Sequence, residues 1–255
     1  FLSLRAIPAA LPLVALWSAA PWVAYCISRP IPATERPLTE ADKAAYRRIA
    51  RRTWAYFENF VSAEDHWLPP DNFQEYPIPA APLEPGMTPG IAHRTSPTNE
   101  GLFLVSSLAA HDFGYLSMHD LAAVLERNLD SWERLERYHG HFLNWYDTHR
   151  ATSLLPRYVS TVDSGNLAAS FLTVREGLLE LLKAPLGSQR LRKGLLDTAL
   201  WVHEALEHVH PPGLRFVNPA LERLQKHVKE CVEALQVDPR TVAGWRKILE
   251  ELSAV

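Results

Sequence analysis

The chain is short of the residues that announce several familiar chemistries. Only two of its 255 residues are cysteine, Cys26 and Cys231, and they lie in very different segments, so no disulfide framework holds the fold. A basic surplus is missing as well. With 26 Lys and Arg against 29 Asp and Glu, the formal net charge is -3. That balance offers no field for displacing counterions from a phosphate backbone, and no nucleic-acid partner is expected. The 11 glycines form no phosphate-cradling loop, no His-Glu-x-x-His helix occurs, and no cysteine pair stands at metal spacing. Accordingly, no cofactor and no metal site is expected. What is present is a globular composition, 47% hydrophobic and 22% charged, long enough to bury a sizeable core. The unusual numbers are 20 prolines and 8 tryptophans. The prolines punctuate loops, and the tryptophans suit either deep packing or flat platforms for a ligand.

No charge occurs from Ala6 to Ser28, between Arg5 and Arg29. At about 1.5 Å rise per residue this stretch can cross about 30 Å of hydrocarbon, and Pro8, Pro12 and Pro21 would kink but not forbid such a helix. A signal peptide and a buried apolar arm are the competing readings. No small-x-small cleavage site is evident, and Tyr25 stands where a lipoprotein signal wants a small residue before Cys26. Residues 1–28 are therefore expected to be a transmembrane helix, the last of a set, and the proline-bearing stretch 29–38 a stiff linker. A soluble domain is expected over 39–255, and its fold is expected to continue past Val255.

The soluble part reads as mainly α. Thr39 and Asp42 resemble a capping box before a helix reaching about Val61, with Ile49, Trp54, Phe57 and Phe60 at helical spacing. Residues 62–96 are proline-rich and aperiodic, a long loop of the kind kept for function. Ser96-Pro97 opens a mostly apolar helix to about Phe113-Gly114, and Ser117 with Asp120 opens an amphipathic one ending at Gly140. From His141 to Val162 the alternation of residue types and the β-branched run Tyr158-Val159-Ser160-Thr161-Val162 predict a hairpin or two extended arms. Helices resume at about Ser164–Leu182, Ser188–His208, from Asn218-Pro219 to Leu235 and from Asp238-Pro239 to Leu252. Paired helices with long loops recurring on one side suit a toroid of helical hairpins.

Three islands are polar, aromatic and irregular together: Trp67-Leu68-Pro69-Pro70-Asp71-Asn72-Phe73-Gln74, then His93-Arg94-Thr95-Ser96-Pro97-Thr98-Asn99-Glu100-Gly101, and Asn144-Trp145-Tyr146-Asp147-Thr148 with Tyr158 through Leu167. Aromatic faces can cover the apolar side of a pyranose while Asn, Asp, Arg, Ser and Thr match its hydroxyls. The bland alternative is loop bracing, with Ser96 and Asp163 as helix caps and Asn99 and Asn166 as backbone ties. The candidate ligand-holding residues are Trp67, Asp71, Asn72, Arg94, Thr95, Ser96, Asn99, Asn144, Trp145, Tyr146, Asp147, Tyr158, Asp163 and Asn166. For a two-carboxylate glycosyl transfer, Asp147 and Asp163 are the candidates, with Asp71 and Glu100 in reserve. Arg47, Arg48, Arg51 and Arg52 make a basic run that fits either anionic lipid or a solvated helix face. His139 and His141, like His203, His208 and His210, lack companion acids in a pattern and read as surface or packed residues.

These four long motifs, in this order, resemble the cyclic β-1,2-glucan synthases of bacteria, well over residues 1–185 and more loosely beyond. The resemblance implies an inner-membrane enzyme in which a glycosyltransferase region and a last membrane segment precede a glycoamylase-like (α/α)6 domain. That domain closes linear β-1,2-glucan into a ring, and a phosphorylase-like domain follows it. On this basis the chain would be the final membrane helix plus the N-terminal half of the cyclisation domain, on the cytoplasmic side, with a β-1,2-glucan chain and the rest of the synthase as partners. The family's catalytic glutamates lie in motifs with no match before Val255, so the resemblance assigns no catalytic residue here. Relative to its pattern, Glu84-Pro85-Gly86-Met87 looks like an insertion.

Overall fold

Residues 7–29, 37–74, 90–184, 188–209, 219–239 and 241–253 are described in a computed structural model. The inserted Glu84–Met87 portion and most of the linker lie outside them. The chain divides into two compact units, Phe1–Ala41 and Asp42–Val255.

In the first unit, helix α1 spans Ile7–Ile27 and carries Pro12 and Pro21 inside it. Its apolar window Ala10–Ile27 is buried nowhere, and side chains as large as Trp17 stand 83% exposed. By length and composition this helix can cross a bilayer.

The second unit is built from seven helices and two small sheets among the described residues. Helix α2 (Glu40–Phe60) turns Trp54 and Phe57 inward. It runs antiparallel to α3 (Pro97–Phe113): Phe57 meets Phe103 with ring centroids 5.2 Å apart, while Arg47 donates to the Phe113 carbonyl at 2.8 Å. Ser96 caps α3 by accepting from the Asn99 amide at 3.3 Å, and Pro97 takes the first helical position, where no N–H is needed. As expected from its composition, α3 is enclosed on nearly every side, Leu102 being an exposed exception. Gly114 ends it in the left-handed conformation, φ 85°.

Helix α4 (Met118–Arg134) opens with the capping box read from the sequence: Ser117 Oγ accepts from the Asp120 amide at 3.1 Å and Asp120 Oδ2 accepts from the Ser117 amide at 3.3 Å. It stops before Gly140. Residues 137–142 instead form a hairpin of β2 (Arg137–Tyr138) and β3 (His141–Phe142), turned by His139 and Gly140, both at positive φ. Two consecutive left-handed residues give a turn whose twist matches the flanking strands, so the turn chemistry outweighs the helical stripe that Tyr138 extends. A second, antiparallel sheet orders β1 (Arg94–Thr95), β4 (Tyr146–Asp147) and β5 (Thr152–Ser153) side by side. The extended character expected after His141 is thus present, but not as far as Val162. Helix α5 (Thr161–Leu181) begins three residues before Ser164 because Ser160 accepts from the Asp163 amide at 3.2 Å. The β-branched Thr161 and Val162 sit in its first turn, where capping compensates for weak helix propensity.

Helix α5 lies parallel to α3: Asn166 reaches Thr98 near both starts, and Gly177 faces Leu108 further along. Helix α6 (Ser188–Val209) runs parallel to α2, with Arg47 on Asp197 and Arg52 on Glu204, and forms an antiparallel pair with α7 (Pro219–Gln236). Helix α8 (Val242–Leu252) packs on α7. Directions therefore alternate: α3 and α5 point one way, α2, α4 and α6 the other. The core lies between them in three clusters. Leu104, Leu121, Leu125, Leu167 and Val174 join α3, α4 and α5. Trp54, Phe57, Phe103 and Ala110 join α2 to α3. Leu68, Trp132, Leu135, Leu143 and Tyr146 anchor the loops. Burying each leucine, valine or phenylalanine among them contributes about 1.5–3 kcal/mol.

Candidate functional site

Because α3 and α5 are parallel, both begin at the same end, and the segments that precede them meet there. Asp71 is the hub. Its Oδ2 accepts from Arg94 Nε at 3.0 Å, Arg94 Nη2 at 2.8 Å and Asn72 Nδ2 at 3.0 Å, and its Oδ1 accepts from Asn99 Nδ2 at 3.2 Å. Beside it the Tyr56 hydroxyl donates to the Pro70 carbonyl, and burial, reinforced by the Asp71 charge, pushes the Tyr56 phenol up to about 12. Held by Asp71, the Arg94 guanidinium lies over the Trp145 ring, 4.8 Å from its centroid. Backbone pairing fixes this approach, since β1 sets Arg94 opposite Asp147 and Thr95 opposite Tyr146.

From Trp145 the network continues to the start of α5. With the Asn144 amide turned to satisfy its neighbours, its nitrogen donates to Asp163 Oδ2 at 3.0 Å, while its oxygen accepts from Trp145 Nε1 and from the Tyr158 hydroxyl, each at 2.8 Å. Asn166 Nδ2 donates to Thr98 Oγ1 at 3.2 Å, tying α5 to α3 at the same end. A cavity of about 470 Å³ adjoins this edge, lined by Tyr158, Val159, Leu143 and Arg157 together with the hairpin residues Tyr138 and His139.

Asp71, Asn72, Arg94, Asn99, Asn144, Trp145, Tyr158 and Asp163 thus form one connected cluster, with Asn166 nearby. The other candidates serve different tasks. Trp67 stacks on Arg127 of α4, 4.8 Å from ring centroid to guanidinium carbon. Ser96 caps α3, and Thr95 is fully buried. Tyr146 is sealed in the core, where its hydroxyl donates to the Glu136 carbonyl and accepts from the Leu143 amide, each at 2.7 Å. Asp147 braces its own turn by accepting from the Arg150 amide at 2.8 Å. Glu100, a reserve acid, is wholly enclosed and accepts from Asn128 at 3.0 Å. Burial pushes its carboxyl up to about 8, against a smaller opposing effect of the Asn128 hydrogen bond, so it is neutral at pH 7.

The arginine run is committed to protein partners: Arg47 pairs with Asp197 at 2.7 Å, Arg51 with Glu58 at 2.8 Å, and Arg48 and Arg52 both with Glu204, at 3.2 and 3.0 Å. Arg51 is buried and Arg47 half-buried, while Arg48 and Arg52 stand on the solvated side of the helix, 60% and 57% exposed. Sequence reasoning also passed over Asp65 and His149, which come together with His93 beneath β1. No local spacing signals that meeting.

No protein-family model matches the chain. It is 39% identical over 229 residues to the cyclic β-(1,2)-glucan synthase NdvB of Rhizobium meliloti, an alignment that takes in 89% of this chain and 8% of that protein. The resemblance carried by the four motifs therefore extends over most of the sequence, while the chain spans under a tenth of its relative's length. Among solved structures, a Bacteroides fragilis protein provisionally described as a glucoamylase is similar at a TM-score of 0.37 and 17% identity, over 78% of this chain and 37% of that one.

Proposed function

We propose that this chain is a segment of a cyclic β-1,2-glucan synthase and that, within the intact enzyme, its second unit holds a β-1,2-glucan strand for closure into a ring by transglycosylation. The single observation that carries the reading is the 39% identity to the Rhizobium meliloti synthase. In this reading residues 1–28 anchor the chain in a bacterial inner membrane, 29–38 link, and 39–255 supply the first half of an (α/α)6 domain lying on the cytoplasmic side. The alternating helix directions suit such a half-ring, as do the exposed apolar positions on α5, where Val162 is 71% and Leu172 64% exposed. The Asp71–Arg94–Trp145–Asn144–Asp163 cluster would meet the glucan, Arg94 and the amides facing hydroxyls beside the indole.

A non-catalytic, glucan-holding role for this segment is the second reading, and one observation favours it. Every candidate carboxylate is already engaged: Asp71 by Arg94, Asn72 and Asn99, Asp163 by Asn144, Asp147 by Arg150, and Glu100 by enclosure. The acid and nucleophile would then come from the rest of the synthase.

Calorimetry of the chain with linear β-1,2-glucan tests both readings, with product analysis of the intact parent enzyme alongside. Binding without turnover by the chain, lost in Trp145→Ala, together with cyclic glucan from the parent, is the expected result. A parent that makes no cyclic product removes the transglycosylation reading, and a chain that binds no glucan removes the holding role.

A further inference from the structure

We propose that Asp65, His93 and His149 form a binding site for a divalent transition-metal ion of the zinc type. One ligand atom from each residue lies within 4.8 Å of those of the other two. A tetrahedral set at about 2.0–2.1 Å from zinc has its members about 3.4 Å apart, so a small contraction brings these three onto one ion. The carboxylate and the first imidazole are enclosed, Asp65 and His93 having side chains only 6% and 8% exposed. His93 Nδ1 lies 2.9 Å from Asp65 Oδ1. A single ion would take the place of the proton between them, bound by His93 through Nδ1 and by Asp65 through a carboxylate oxygen. On the neighbouring ring, whose centroid is 4.2 Å away, His149 Nε2 is buried without a hydrogen-bond partner. A buried imidazole nitrogen with no partner is costly as a resting arrangement but suited to a cation shared with Asp65 and His93.

The surroundings are built to hold the three in place. Thr148 donates from Oγ1 to Asp65 Oδ1 at 2.5 Å and from its amide to the His93 carbonyl at 3.1 Å, and its own carbonyl lies 2.8 Å from His66 Nδ1. Asp65 follows α2, His93 precedes β1 and His149 lies in the turn between β4 and β5, so one ion would clamp three segments far apart in sequence. Two imidazoles with one carboxylate match zinc or its neighbours rather than calcium or magnesium, which demand oxygen donors. The ion would stand directly behind Arg94 and Asp147, fixing the sheet from which the candidate cluster projects. Nothing in this inference depends on the identity of a glucan ligand.

The test uses the full chain in detergent micelles, stripped of metal with a chelator and titrated with Zn2+ by calorimetry and with Co2+ by visible absorption. One equivalent of each metal, a d–d spectrum of low symmetry and a rise in Tm on adding Zn2+ are expected. His149→Ala, at the half-buried member of the set, should weaken binding by about 100-fold or more, with His149→Gln as a second variant and circular dichroism reporting that both stay folded. Absence of stoichiometric binding by the unsubstituted chain overturns the proposal. So does binding that survives both His149 substitutions.

Discussion

Helices α3 and α5 run side by side in parallel, and so do α2 and α6, yet the two pairs are joined by opposite means. Between α3 and α5 the side chains are small or apolar: a Cβ on Gly101 would come within 2.6 Å of Ser170 Oγ, and one on Gly177 within 2.3 Å of Leu108 Cδ2. Between α2 and α6 long side chains span the gap, with Arg47, Arg48 and Arg52 reaching Asp197 and Glu204 around a cavity of about 250 Å³ that Trp201 and Leu200 also line. Arg51 lies 4.9 Å from the Trp201 ring centroid in the same gap. Shape complementarity fixes the first pair and charge the second. The dry pair should therefore ignore ionic strength, while the bridged pair should loosen as salt rises.

The sharpest way to break that contrast is at the point where the two regions touch. A Cβ on Gly194 of α6 would lie 2.0 Å from the Gly114 carbonyl oxygen at the end of α3, a backbone atom that cannot swing aside. Gly194→Ala is expected to cost about 3 kcal/mol or more, read as a fall in the urea midpoint.

Next in size is a titratable group buried on α3. Glu100 holds its proton up to about pH 8 in the folded chain but only to its ordinary 4.5 when unfolded. The folded state thus binds the extra proton between those values, so the contribution of Glu100 to stability is fullest below about 4.5, declines as pH rises through this window and levels off above about 8. Glu100→Gln should remove that decline, and denaturant melts across the range would show whether the slope persists.

Asp197→Ala should cost about 2 kcal/mol, because it strips both Arg47 and the Tyr115 hydroxyl, which donates to Asp197 Oδ2 at 3.0 Å. Part of that loss should disappear at high salt, whereas Gly194→Ala should be equally damaging at any ionic strength. The smallest effect is expected from Glu204→Gln, whose partners Arg48 and Arg52 are 60% and 57% exposed: under about 1 kcal/mol, measurable only at low salt.

Signals that act within one turn of chain were legible from the residues alone. Ser96-Pro97 and Ser117 with Asp120 marked two helix starts because a cap and its amide are three residues apart. Tyr138 and Val162 misled, since an apolar stripe at helical spacing and a β-branched run say less than a two-residue turn of positive φ or a serine cap. The motifs that carry the cluster around Asp71 stood out as irregular and aromatic, but their geometry did not: Asp71 and Arg94 are 23 residues apart. Nor could the sequence show that four arginines on α2 would find their partners mostly about 150 residues later, for want of any periodic trace of that meeting. Glu100 looked like a reserve acid in a polar motif, and only the packing of α4 reveals that it faces away from solvent.

The shared heading of α3 and α5 divides labour between two rims. At one, the chain makes its long excursions, through residues 61–74, 90–96 and 135–160; at the other, α3 and α4 are joined by the few residues from Gly114 to Ser117. Specificity could be rewritten along the first rim by exchanging excursions, leaving the short joints of the second as the frame against which each new version is held.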